Sequence, residues 1–145
     1  MSRVALFQGD DRAANITSAL EAIAEDVDLA GKRRIVVKPN FVSIHNPLSA
    51  THVDATRAVL GYLCARGARD ITLAEGPAAG SATEGFANYG YLPLIEEYGL
   101  KVVDLNRDDH VLIEVLDQRL RPKMVRVSRT VVESDYRVSV GPPKT

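Results

Sequence analysis

The sequence predicts an α/β fold of three layers, with a mainly parallel central sheet and an antiparallel hairpin at the sheet edge. Three observations predict it. Apolar residues alternate along the chain between strand-like runs and helix-like spacing. The run Ile35-Val36-Val37 is apolar at every position, as in a parallel strand buried on both faces. Three strand-like runs also break in the same way, at Lys38-Pro39-Asn40, Glu75-Gly76-Pro77 and Gly141-Pro142-Pro143.

Taken in order, Arg3 to Phe7 reads as a first short strand. Gly9-Asp10-Asp11 then caps a helix that carries Ile16, Leu20, Ile23 and Val27 on one side, and Gly31 closes the unit. Arg34 to Lys38 is a buried strand stopped by Pro39. After a loop, Thr51 or His52 opens a helix with Val53, Thr56, Val59, Leu60 and Leu63 on its apolar side, and Gly67 supplies a left-handed cap. The strand Asp70 to Ala74 follows. Residues 75 to 81 are too rich in Gly, Pro and small side chains for an element, so they form a loop into helical turns around Phe86 to Tyr89 and Leu92 to Tyr98. Gly99 ends these, and Lys101 to Leu105 is the next strand. Val111 to Leu116 and Lys123 to Val127 read as an edge hairpin, Arg129 to Ser134 as a helical turn, and Tyr136 to Val140 as a last strand.

Composition bounds the function. With 18 Lys plus Arg against 19 Asp plus Glu in 145 residues, the net charge of −1 argues against a dedicated nucleic-acid binder. No apolar stretch approaches the ~20 residues needed to cross a bilayer, and Met1-Ser2-Arg3-Val4 is not a signal peptide, so a cytoplasmic protein without a membrane role is expected. Cys64 is the single cysteine, which excludes from this chain a cysteine-ligated iron–sulfur cluster, a Cys-rich zinc site and an internal disulfide. Cys64 itself reads as a small core residue. The hairpin's basic residues, among them Arg119, Arg121, Lys123 and Arg126, read as charge defending an edge, with a nucleic-acid or acidic-partner surface as the other reading.

In a parallel sheet the three proline breaks lie along one edge, where ligands of open α/β sheets bind. Lys38, Asn40, Glu75 and Lys144 would converge there. Lysines facing a carboxylate suit a small anionic metabolite: Lys38 and Lys144 would hold its charge while Glu75 acts as base or binds a hydroxyl. Lys38 and Glu75 are accordingly the catalytic candidates, with Asn40, His52, Gly76, Lys144 and Thr145 as ligand-binding candidates. The Gly76 to Gly85 loop has neither phosphate-binding fingerprint and reads better as a connector than as an anion cradle. His45 and His52 with Glu75 would match a two-histidine, one-carboxylate metal site, but residue types alone do not select that over surface histidines, and no metal or other cofactor is assigned.

Val36-Val37-Lys38-Pro39-Asn40-Phe41-Val42, Ala50-Thr51-His52, Glu75-Gly76-Pro77, Gly90-Tyr91, Asp104-Leu105-Asn106, Arg129-Thr130 and Lys144-Thr145 occur in an order that resembles the family catalogued as domain of unknown function 362. That resemblance implies a link to ferredoxin-type iron–sulfur modules, which many members carry elsewhere in the chain. It also implies a closing Pro-Lys-x-Lys-Thr-His. Here Pro142 replaces the first of those lysines and the sequence stops at Thr145, so the expectation is either an N-terminal part of a longer protein, completed by a further region or a partner subunit, or an unusually short member. The resulting expectation is a single Rossmann-like domain over residues 1–145. It would act as an enzyme or enzyme part on a small anionic metabolite, or as a non-catalytic scaffold associated with an electron-transfer module.

Overall fold

The computed structural model describes residues 3–142. Lys144 and Thr145 lie outside the described residues. The chain runs α1 (Arg12–Ala22), β1 (Ile35–Pro39), α2 (Val53–Ala65), β2 (Ile71–Glu75), α3 (Ala82–Asn88), α4 (Leu92–Tyr98), β3 (Lys101–Asp104), β4 (His110–Leu116), β5 (Pro122–Ser128), α5 (Arg129–Val132) and β6 (Tyr136–Val140). Four strands form one parallel sheet in the order β3-β2-β1-β6. The α/β class and the parallel sheet therefore hold.

The alternation of strands and helices fixes the layers. Ile35, Val37, Ile71 and Leu73 share one sheet face and are essentially inaccessible. They join Val59, Leu60 and Leu63 of α2, Phe86 of α3, and Tyr91 and Leu94 at α4 in one core cluster. Full burial of each such side chain contributes roughly 1.5–3 kcal/mol. The adjacent positions Lys38, Thr72, Arg137 and Ser139 alternate to the other face and are half-buried or exposed. Gly67 ends α2 at φ +91°, and the Ala68 N–H donates to the Leu63 carbonyl at 3.0 Å, a Schellman closure that only a left-handed residue permits cheaply.

Three expectations shift. The antiparallel hairpin is present, but β4 and β5 form a sheet of their own and do not add to the edge of the parallel one. Its sequence specified the pairing of its two arms, which is local, and contained nothing that fixed its partner beyond them. Residues Arg3 to Phe7 form no strand. Val4 and Leu6 are more than nine-tenths exposed, and Arg3 is held instead by Glu25 and Asp26. An apolar run becomes a strand only where a ladder partner meets it. Finally α1 stops at Ala22, because Ile23 leaves helical geometry (φ −116°, ψ 20°) before a 3₁₀ turn at Ala24–Asp26. No helix among the described residues is long and apolar enough to cross a membrane.

β1 to β2 to β3 proceeds in one direction across the sheet, whereas the connection through β4, β5 and α5 returns to place β6 on the far side of β1. Strand order thus reverses between β1 and β6. The entry to this pair is tied by Asp135, whose carboxylate accepts the N–H groups of Arg33 (3.1 Å) and Arg34 (2.9 Å) and the Arg34 guanidinium (3.2 Å). The backbone N–H of Arg34 leads these causes in pulling the carboxyl pKa down to about 2. Because the folded pKa lies below the ordinary 3.8, the stabilisation is present above that ordinary value and disappears as pH falls towards 2. Asp135→Asn should lose stability less steeply than the native chain over that window, measured by urea unfolding at successive pH values. Parallel acid profiles would show that Asp135 does not tie the strands.

Candidate functional site

All strands of the parallel sheet end at one edge, so the proline breaks do come together. The order along that edge is Asp104-Leu105-Asn106, Glu75-Gly76-Pro77, Lys38-Pro39-Asn40 and Val140-Gly141-Pro142. Lys38 and Glu75 meet directly: the Lys38 Nζ donates to Glu75 Oε2 and also to the Pro39 carbonyl (3.1 Å). Glu75 Oε1 accepts the Phe41 N–H at 2.7 Å. The exposure of the two side chains differs sharply, 2 % for Glu75 against 38 % for Lys38. A carboxylate this deep requires a cation and hydrogen bonds around it, and both of its oxygens are engaged here.

Phe41 carries this arrangement into the core. Its ring makes edge-on contacts with Phe86, Tyr89 and Tyr91 at centroid distances of 5.0–5.4 Å. The buried Tyr91 hydroxyl donates to the Thr51 carbonyl at 3.0 Å and lies 3.0 Å from Thr56 Oγ1. Burial, opposed by the Thr56 hydrogen bond, keeps the Tyr91 phenol protonated well above its usual range.

Thr51 is the residue that sequence reasoning assigned only to a helix start. Its hydroxyl accepts the Asn40 N–H (2.8 Å) and donates to the Val140 carbonyl (2.6 Å), while its own N–H donates to the Asn40 carbonyl (2.9 Å). It therefore bridges the ends of β1 and β6 at the point where strand order reverses. The signal for it was present only as a hydroxyl residue a short loop after Asn40.

His52 caps α2: its Nδ1 accepts the Asp54 N–H at 3.2 Å. It lines a groove of about 560 Å³ at the carboxyl end of β6, with Arg12, Thr51, Ser139, Gly141 and Pro142. Lys38 and Glu75 stand outside that groove, so the candidates form two groups joined through Asn40 and Thr51. A hollow of about 900 Å³ beside the start of α1 is lined by Asp10, Asp11 and Asp54 together with Arg12 and Arg57, so its walls carry no excess of positive charge for an anion.

Gly76 is accounted for by packing, since a Cβ there would fall 2.8 Å from Asn106 Oδ1. Two amides farther along this loop, those of Ser81 and Ala82, are already used. Ser81 and Glu84 form a reciprocal capping box on α3, and the Ala82 N–H donates to Asp104 Oδ2 at 3.0 Å. This is the connector reading of the loop, with these amides turned inward. His45 is exposed, and among the described residues no group of three or more His, Cys, Asp or Glu is placed to hold a metal ion, so His45, His52 and Glu75 do not assemble one. Cys64 is half-buried, and burial raises its thiol pKa, contrary to an activated nucleophile.

Thr51→Val keeps shape and removes the hydroxyl, leaving the Asn40 N–H and the Val140 carbonyl without it. It should cost about 2 kcal/mol, read as a lower urea midpoint, and should speed amide exchange at Asn40. Unchanged exchange there would show that the hydroxyl does not hold the two strand ends together.

No curated protein matches the chain in sequence. The family profile described as Domain of unknown function (DUF362) matches residues 35–145, which begin at the first residue of β1 and run past the end of β6. Since that match covers well over half of the chain and takes in every strand described, the chain belongs to the DUF362 family.

Proposed function

We propose that the chain binds a small anionic metabolite at the carboxyl edge of its parallel sheet, beside the β1–β6 reversal, with the Lys38 ammonium receiving the anion. The observation that carries this is the Lys38–Glu75 pair, in which a sealed carboxylate fixes an ammonium that is still 38 % exposed. An ammonium has three donors. Glu75 and the Pro39 carbonyl take two, and the third serves a carboxylate or phosphate oxygen. The location agrees with the rule that ligands of open α/β sheets bind where strand order reverses. The adjoining groove of about 560 Å³ is within the usual size of small-ligand sites, roughly 300–1,000 Å³, and Arg12 and His52 stand on its wall.

This geometry revises the role of Glu75. A general base must come within hydrogen-bond reach of the proton it takes, whereas Glu75 is sealed beneath Lys38 with its oxygens bonded to that ammonium and to the Phe41 amide. Glu75 is therefore a positioning residue in this reading. The same observation favours binding over proton abstraction, and keeps the non-catalytic alternative in view as an outcome of the test.

Thermal unfolding with inorganic phosphate, succinate and a nucleoside monophosphate, each against chloride at equal ionic strength, tests the proposal. A ligand at 100 times its Kd adds about 2.7 kcal/mol of stability, so at least one probe should raise Tm in the native chain and fail to do so in Lys38→Gln. Flat curves for all three probes, or an unchanged response in Lys38→Gln, would remove the anion site and leave the scaffold reading.

A further inference from the structure

The β4–β5 hairpin presents an unusual combination. It is paired to nothing but itself among the described residues, and an isolated two-stranded sheet is marginal in water. Its register places Val111 opposite Val127, Ile113 opposite Val125 and Val115 opposite Lys123 on one face. On the other face Leu112 faces Arg126, Glu114 faces Met124 and Leu116 faces Pro122. Leu112, Leu116 and Met124 are each more than half exposed. α5 packs at the base of the hairpin and does not extend along it.

The two outer edges are not alike. β5 begins with Pro122 and carries Lys123 and Arg126 with no carboxylate, following Arg119 and Arg121 in the turn. Charge and proline of this kind block edge-to-edge pairing. β4 contains no Lys, Arg or Pro; its one charged residue is Glu114. One edge is defended and the other is open.

We infer that the open edge of β4 pairs antiparallel with β4 of a second copy of this chain, about a twofold axis through Ile113, giving a continuous four-stranded sheet β5-β4-β4-β5. Centring on Ile113 sets Ile113 against its own copy, Val111 against Val115, and Leu112 against Glu114. The β-branched rows then run unbroken across both copies, with Lys123 only at the outer corners. Within β4 no like charges face each other; Asp109 and Asp117 come opposite one another only beyond its two ends. A β5–β5 junction would instead bring two copies of Lys123 and Arg126 together with no acid between them. A β4–β5 junction would match charges but would not close, and would polymerise. A one-residue slip of β4 on β4 would turn Val111, Ile113 and Val115 away from their counterparts.

Sedimentation velocity on the chain over a concentration series should show a species of twice the chain mass. Ile113→Lys, which sets two ammoniums opposite each other on the axis, should return it to one chain mass with an unchanged far-ultraviolet circular dichroism spectrum. A Cys64→Ala, Ile113→Cys variant should form a thiol-reversible dimer on mild oxidation, because only residues beside the axis meet their own copies. A single chain mass at every concentration, open-ended growth, a dimer indifferent to Ile113→Lys, or a dimer with no 113–113 cross-link would each overturn the inference.

Discussion

The buried carboxylate of Glu75 is the constraint around which the carboxyl edge is organised. An unpaired carboxylate at this depth would be very costly, and here the opposing groups come from the end of β1 and the residues just past it: the Lys38 ammonium within the strand, and the Phe41 amide beyond the Pro39 break. Satisfying Glu75 thus dictates the path of the chain from Lys38 to Phe41. That path drives the Phe41 ring down among Phe86, Tyr89 and Tyr91. A polar requirement at the sheet edge and an apolar one in the core are met by one turn of backbone.

From Phe41 the constraint spreads outward. Gly85 lies where a Cβ would come within 2.9 Å of the Phe41 ring, so α3 crosses this ring as closely as a helix can. Tyr91 reaches from the start of α4 to the Thr51 carbonyl, and Thr51 holds Asn40 to Val140. A chain of direct contacts therefore runs from the pair at the end of β2 to the end of β6. The sealed carboxylate, the aromatic cluster and the bridge between strands act as one support for the exposed ammonium above them.

Much of this was legible in the sequence because it is local or periodic. The all-apolar run at Ile35 to Val37, the glycine stops at Gly67 and Gly99, and the proline breaks each announce themselves within a few residues, and together they specify a parallel sheet with a common edge. The meeting of Lys38 with Glu75 followed from that edge. The rest depends on partners far apart in sequence. Nothing around Thr51 says that its hydroxyl will be met by a carbonyl 89 residues later, and nothing around Asp135 names Arg33 and Arg34. The run Arg3 to Phe7 and the hairpin show the converse: β-propensity was visible in both, but the ladder each would join is a property of the whole chain. The connector role of the glycine loop was legible from its missing fingerprints, but the carboxylate that takes the Ala82 amide, that of Asp104, was not.

The position of β1 between β2 and β6 also governs the order in which the domain can assemble. Ile35 is flanked by Ile71 on one side and by Tyr136 on the other, the second partner being 101 residues downstream. As the chain emerges from the ribosome, β1, β2 and β3 can associate early, while one side of the central strand keeps its backbone groups unpaired until residues 136–140 have been made. Closing so long a loop is slow compared with forming helices or the hairpin. During that interval β1 is itself a temporary edge, apolar from Ile35 to Val37 and undefended by charge until Lys38. The period of exposure to wrong pairing therefore lasts from the synthesis of β1 to that of β6, and it is the arrival of Tyr136 to Val140 that ends it.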